Sequence, residues 1–192
     1  MPSFGVTRLI TAAFSALLFS MVSAQALELR RVAVDPSPFV VISAVGPIVP
    51  GDGERLQAFL AALPRGDRLY GFVVDSPGGN IFEAEQIEAL IRGHSIFVPA
   101  GGQCASACFL LFAAAAHRVV AEDARIGVHN ASEAGALTHN SLAFTDWLAR
   151  DLRADDVPAG IIAKMATTAP SRMAWLTRAD LKSMGTSILL MH

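Results

Sequence analysis

Three short apolar runs limit what this chain can become: Phe39–Val45, Leu69–Val74 and Ser95–Val98. Each is flanked by turn residues and rich in β-branched or aromatic side chains, which predicts buried strands. Stretches of helical period separate them. Leu56, Phe59, Leu60 and Leu63 mark a helix over Glu54–Leu63, capped by Asp52 or Gly53 and ended by Pro64-Arg65-Gly66-Asp67. Ile81, Ala84, Ile87, Leu90 and Ile91 mark another over Ile81–Ile91, closed by Arg92-Gly93-His94. Alternating apolar strands and helices predict an α/β fold with a mostly parallel sheet, covered on both faces and joined by right-handed crossovers.

The pattern continues to either side. Leu29–Val34 reads as an edge strand, and Asp35-Pro36-Ser37-Pro38 as a turn. A Gly-rich turn at Gly101-Gly102 leads through Ser106 into a helix ending near Ala116. Strands follow at Arg118–Val120 and Ile126–Val128, with a turn at Glu122-Asp123-Ala124 between them. Beyond them lie helices from Thr138 to about Leu152 and from Val157-Pro158 to about Ala166. Thr177 caps a last helix, Arg178–Met184, stopped by Gly185. With no long linker, this third of the chain reads as a helical extension of the same domain.

Residues 1–26 read as a secretory signal. Arg8 precedes the apolar run Leu9–Phe19, and Ala24-Gln25-Ala26 is an A-x-A cleavage site. The run is shorter than the ~20 residues a membrane span needs, which favours cleavage over retention as an anchor. The expectation is an exported, periplasmic single domain over residues 27–192, with no stable membrane span after cleavage. Phe109–Ala116 is apolar but ends at His117-Arg118, so it reads as a buried helix. A net charge of −2 gives no hint of nucleic acid.

Three loops end the strands at the edge where parallel sheets bind their ligands: Asp75–Asn80, Gly101–Ser106 and His129–Ala131. Gly78 and Gly79 let backbone approach a ligand, and N–H groups there would stabilise negative charge; a plain turn would use the same glycines. Ser106 is either a helix cap or a nucleophile. His129 is either its base or a structural strand-end histidine. His94 and His117 read as structural, His139 and His192 as surface residues. Cys104 and Cys108 flank Ser106 with neither metal spacing nor a C-x-x-C motif. In an exported chain they could form a disulfide that stiffens the turn, or remain buried thiols that pack as small hydrophobes.

Taken together, Asp75-Ser76-Pro77-Gly78-Gly79, Gly102–Ala107 and Ala124–His129 resemble the ClpP/crotonase superfamily. They are most similar to its serine-peptidase members, the Clp proteolytic subunit and signal peptide peptidase A. The match lies in order and in spacing, with 27 residues from Gly79 to Ser106 and 23 from Ser106 to His129. It covers roughly Phe39–Asn130, and Trp175–Leu190 more loosely. The resemblance implies a stack of ββα units assembled into oligomers, acting on a peptide or protein substrate. It implies a nucleophile at Ser106, a base at His129 and an oxyanion hole from the N–H groups of Gly79 and Ala107, with Gly78 shaping the loop.

One departure stands out. The aspartate of the Clp subunit precedes an aromatic-Leu-Ser/Thr stretch, here Trp175-Leu176-Thr177, and its place falls at about Met173. Asp146 and Asp180 lie on other helices. A lysine base, as in the signal peptide peptidases, would fall to Lys164, which otherwise reads as a solvated helix residue. The leading expectation is serine-type peptide hydrolysis with no metal or organic cofactor. A non-catalytic binding or assembly module is the alternative that the missing aspartate favours. An acyl-thioester enzyme fits an exported chain poorly.

Overall fold

The computed structural model describes residues 26–35 and 38–190. The expected leader, apart from Ala26, lies outside the described residues, as do His192 and part of the Asp35–Pro38 turn. Among the described residues no helix is long and apolar enough to cross a membrane.

The first half follows the sequence pattern closely. Strand β1 is Glu28–Ala33 and β2 is Phe39–Val45; helix α1, Asp52–Ala61, leads to β3, Arg68–Asp75. Helix α2, Ile81–Ile91, leads to β4, Ser95–Val98. Asn80 starts α2 by accepting the N–H groups of Phe82 and Glu83 (3.0 and 3.2 Å). A strand not expected from the sequence, β5 at Gln103–Ala105, precedes α3, Cys108–Ala114. Then come β6, His117–Ala121, and β7, Arg125–Val128.

The extension holds α4, His139–Ala154, and α5, Ala159–Thr167. Thr138 caps α4 in a reciprocal pair with Ser141. Two further short strands were not expected: β8, Ala174–Trp175, before helix α6, Arg178–Ser183, and β9, Ser187–Leu189, after it.

The main sheet has the order β1-β2-β3-β4-β6-β9. Only β1 is antiparallel to its neighbour. Its inward residues alternate along each strand. Val40, Ile42, Phe72, Val74, Ile96, Val98 and Val120 are buried. Most of them share one core with Leu56 of α1, Ile87 and Ile91 of α2, and Phe109 and Phe112 of α3. Every residue of α3 is buried, so this apolar helix is the centre of the molecule.

The expectation of helices on both sheet faces is not met. Val41, Val73, Phe97 and Val119 are only half-buried and lie outside that core. With Tyr70 they line a shallow groove of about 300 Å³. The reason is topological. From β2 to β9 the strand order never reverses. Right-handed crossovers that advance in one direction all fall on the same face.

Helices α2 and α4 meet through charge. Arg92 pairs with Glu88 and with Asp155 just beyond α4. The carboxylates of Glu88, Asp151 and Asp155 bring oxygens within 4.8 Å of one another. Burial, reinforced by Asp151 and opposed by Arg92, pushes the Glu88 carboxyl up to about 7. The native state therefore holds a proton that the unfolded state releases from about pH 4.5 upward. Stability from this group is full at low pH and is lost as pH rises through 7. Thermal melts between about pH 5 and 8 should show a falling midpoint, and Glu88→Gln should flatten that fall.

Candidate active site

The site is built where the main sheet passes its pairing to a second one. Beyond β3, the Ser76 N–H donates to Gln103 O (2.7 Å) and the Ala105 N–H to Ser76 O (3.1 Å). The Asp75 carboxylate accepts the Gln103 N–H (2.9 Å). β5 then pairs in parallel with β7, and β7 in antiparallel with β8. Ala105 lies opposite Gly127. This register brings Ser106 and His129 to the ends of neighbouring strands at one edge.

Ser106 does not act as a cap. The helix starts two residues later, at Cys108, and no side chain caps it. Ser106 instead takes φ 56°, a left-handed conformation that a non-glycine residue holds only when its surroundings enforce it. Its N–H donates to Gly127 O (3.0 Å) and its carbonyl accepts the Phe109 N–H (2.9 Å). A disulfide between Cys104 and Cys108, with Cα atoms 5.2 Å apart, spans the same turn.

The glycine loop presses directly on that turn. Gly78 has φ +90°, and a Cβ there would lie 2.4 Å from Ala105 O and 2.8 Å from Ser106 Cβ. A Cβ on Gly79 would lie 2.1 Å from Ile48 O. The Ile48 N–H donates to Gly78 O (2.9 Å), and the Asn80 N–H donates to Ile48 O (2.8 Å). The Gly78 N–H is taken by the buried Ser76 hydroxyl (3.1 Å). The N–H groups of Gly79 and Ala107 donate to no acceptor among the described residues.

Ser106, His129, Gly79 and Ala107 all line one pocket of about 290 Å³. Ile81, Phe82, Phe144, Leu148 and Met165, from α2, α4 and α5, give it an apolar wall. Phe82 and Phe144 touch across it, with ring centroids 5.5 Å apart. Glu133 and Asn140 stand at a polar part of the lining. His129 Nδ1 lies 2.6 Å from Asn130 O. No hydrogen bond joins His129 to Ser106 among the described residues.

No carboxylate bonds to His129 among the described residues. β8 pairs Trp175 with Gly127 and Ala174 with Val128, so the next step of the register sets Met173 opposite His129. The Met173 side chain itself lies against Gly127, where its Cγ and Sδ would each be 2.7 Å from an added Cβ. Asp146 is exposed on α4, and Asp180 is bound to Lys164 at 2.5 Å and to Thr177. The same contact occupies Lys164, the candidate for a lysine base. Lys164 is ion-paired with Asp180 and is not part of the pocket lining, whereas Met165 is. One residue along a helix is a turn of about 100°, so Lys164 and Met165 leave α5 in different directions.

Sequence reading missed the buried supports. Ser76 was visible in its Ser-Pro-Gly-Gly loop, but its role in holding β5 was not. Asn130 follows His129 and is only 5% exposed, yet no periodicity marks it as buried. The pocket's apolar wall depends on the packing of α4 and α5, which spacing does not reveal.

No family profile and no curated protein matches this sequence. Solved structures do match. A membrane-bound stomatin-specific protease, solved as a mutant, aligns with a TM-score of 0.59 at 17% identity. The alignment covers 80% of this chain and 78% of that one. The ClpP protease catalytic domain from Plasmodium falciparum aligns with a TM-score of 0.58 at 17% identity, covering 78% of this chain and 84% of that one. The chain therefore has a ClpP-like fold.

Two outcomes follow from the turn's packing. Gly78→Ala should cost about 2–3 kcal/mol in chemical denaturation, because neither Ala105 O nor the Ser106 turn can withdraw. Replacing both cysteines by serine should cost roughly 2 kcal/mol, the loop-closure value for so short a loop.

Proposed function

We propose that this protein is an exported serine-type peptidase. The observation that carries the reading is the convergence of four groups on one pocket: Ser106, His129 and the N–H groups of Gly79 and Ala107. That both structural neighbours are proteases supports it. His129 takes the Ser106 hydroxyl proton as Oγ attacks the carbonyl carbon of the scissile peptide. The two N–H groups, left without protein acceptors, stabilise the developing oxyanion. His129 returns the proton to the leaving amine, and water then releases the acyl group by the same route. The mechanism uses no metal or organic cofactor. The half-buried sheet face gives a homo-oligomer apolar surface to cover.

The Met173 position favours a second reading, a non-catalytic peptide-binding module that keeps the groove. A fluorophosphonate separates the two. Wild type should be labelled at Ser106 at neutral pH, and Ser106→Ala should not be labelled. His129→Ala should slow labelling about 10²–10⁴-fold, and Lys164→Ala should leave it unchanged. An unreactive wild type in its assembled state would hand the lead to the binding module.

A further inference from the structure

We propose that the main-chain carbonyl of Asn130 stands in for the absent carboxylate, and that the C-terminal end of α5 holds it in place. This rests on the peptidase reading for its catalytic consequence, though not for its geometry. A neutral imidazole can accept the serine proton at Nε2 only when its own proton is on Nδ1. Whatever bonds to Nδ1 selects that tautomer and fixes the ring. The group in contact with Nδ1 here is Asn130 O, at 2.6 Å. A carbonyl only accepts, so the contact requires the proton on Nδ1 and leaves Nε2 as the basic nitrogen.

A carbonyl can orient a ring only if it is itself immobile, and the Asn130 segment is fastened on several sides. Its N–H donates to Thr168 O and its side-chain Nδ2 to Ala166 O, each at 2.9 Å. Ala166 is in the last turn of α5 and Thr168 is its C-cap. Thr168 in turn sends both its N–H and its hydroxyl to Lys164 O (3.1 and 2.6 Å). The following residue is held from the other side, where the Ala131 N–H donates to Thr145 Oγ1 of α4 (3.0 Å). Thr145 Oγ1 donates on to Ser141 O (2.9 Å). Helices α4 and α5 thus clamp the segment that carries the carbonyl.

The substitution has a chemical consequence. A carboxylate orients the histidine and also stabilises the imidazolium formed during proton transfer. A neutral carbonyl does the first far better than the second. Asn130 is therefore a positioning residue. The Met173 thioether is packed against Gly127 and makes no hydrogen bond to His129 among the described residues.

The direct test needs no activity. In the mature protein, nitrogen NMR of ¹⁵N-histidine-labelled Ser106→Ala above neutral pH should show His129 as the Nδ1–H tautomer. An Nε2–H tautomer overturns the proposal, whether or not the protein cleaves peptides. The second test uses labelling kinetics. Asn130→Ala should slow fluorophosphonate acylation about 10-fold or more and admit the Nε2–H tautomer. Met173→Asp in that background should restore the rate and move the acidic limb of the pH–rate profile up by about one unit. Wild-type rate and tautomer in Asn130→Ala would overturn the clamp by the end of α5, since that variant keeps the carbonyl and loses the bond to Ala166 O. If Asn130→Ala does not fold, Met173→Asp alone decides: a faster rate with the shifted limb supports the proposal, and an unchanged profile overturns it.

Discussion

The candidate site depends on one short ladder, the pairing of β5 with Ser76 on one side and with β7 on the other. Three residues of strand carry the connection between two sheets. Break it, and Ser106 loses the Gly127 carbonyl that holds its left-handed backbone. The glycine loop would also lose the surface it packs on, since Gly78 lies against Ala105 and Ser106 with no room for a side chain. The ladder is placed at the edge of a core centred on the fully buried α3, so the strain at Ser106 is backed by apolar packing.

Around that ladder each functional group is set by a different element. Gly79 is fixed by Ile48, which precedes α1. Ala107 is fixed by the turn into α3. His129 is fixed by β7 and by the carbonyl of its own neighbour, which α5 restrains. The pocket wall comes from α2, α4 and α5. The helical extension is thus part of the site: it shapes the groove and steadies the histidine. The half-exposed face of the main sheet serves none of these purposes, and its exposure follows from a strand order that never reverses.

Much of this was legible locally. Phe39–Val45, Ile81–Ile91 and Ser95–Val98 fall where the apolar periods place them, because β-branched alternation and helical spacing act over a few residues. Thr177 caps its helix as its side chain suggests. The short strands β5, β8 and β9 were not legible. Two or three residues carry no period, and Gln103–Ala105 or Ala174–Trp175 becomes a strand only because a partner edge lies beside it. Position alone left Ser106 as either a cap or a nucleophile; the Gly127 and Gly78 contacts set a conformation that does not cap the helix.

By itself the sequence determined the α/β alternation, the glycine pair, the serine turn between two cysteines and the histidine at a strand end. Only the tertiary structure decided that the sheet face carrying Val41, Val73, Phe97 and Val119 stays half-exposed, that Lys164 belongs to Asp180, and that Asn130 O meets His129. These depend on strand order and helix placement, which arise from contacts between residues far apart in the chain. Local periodicity has no access to them.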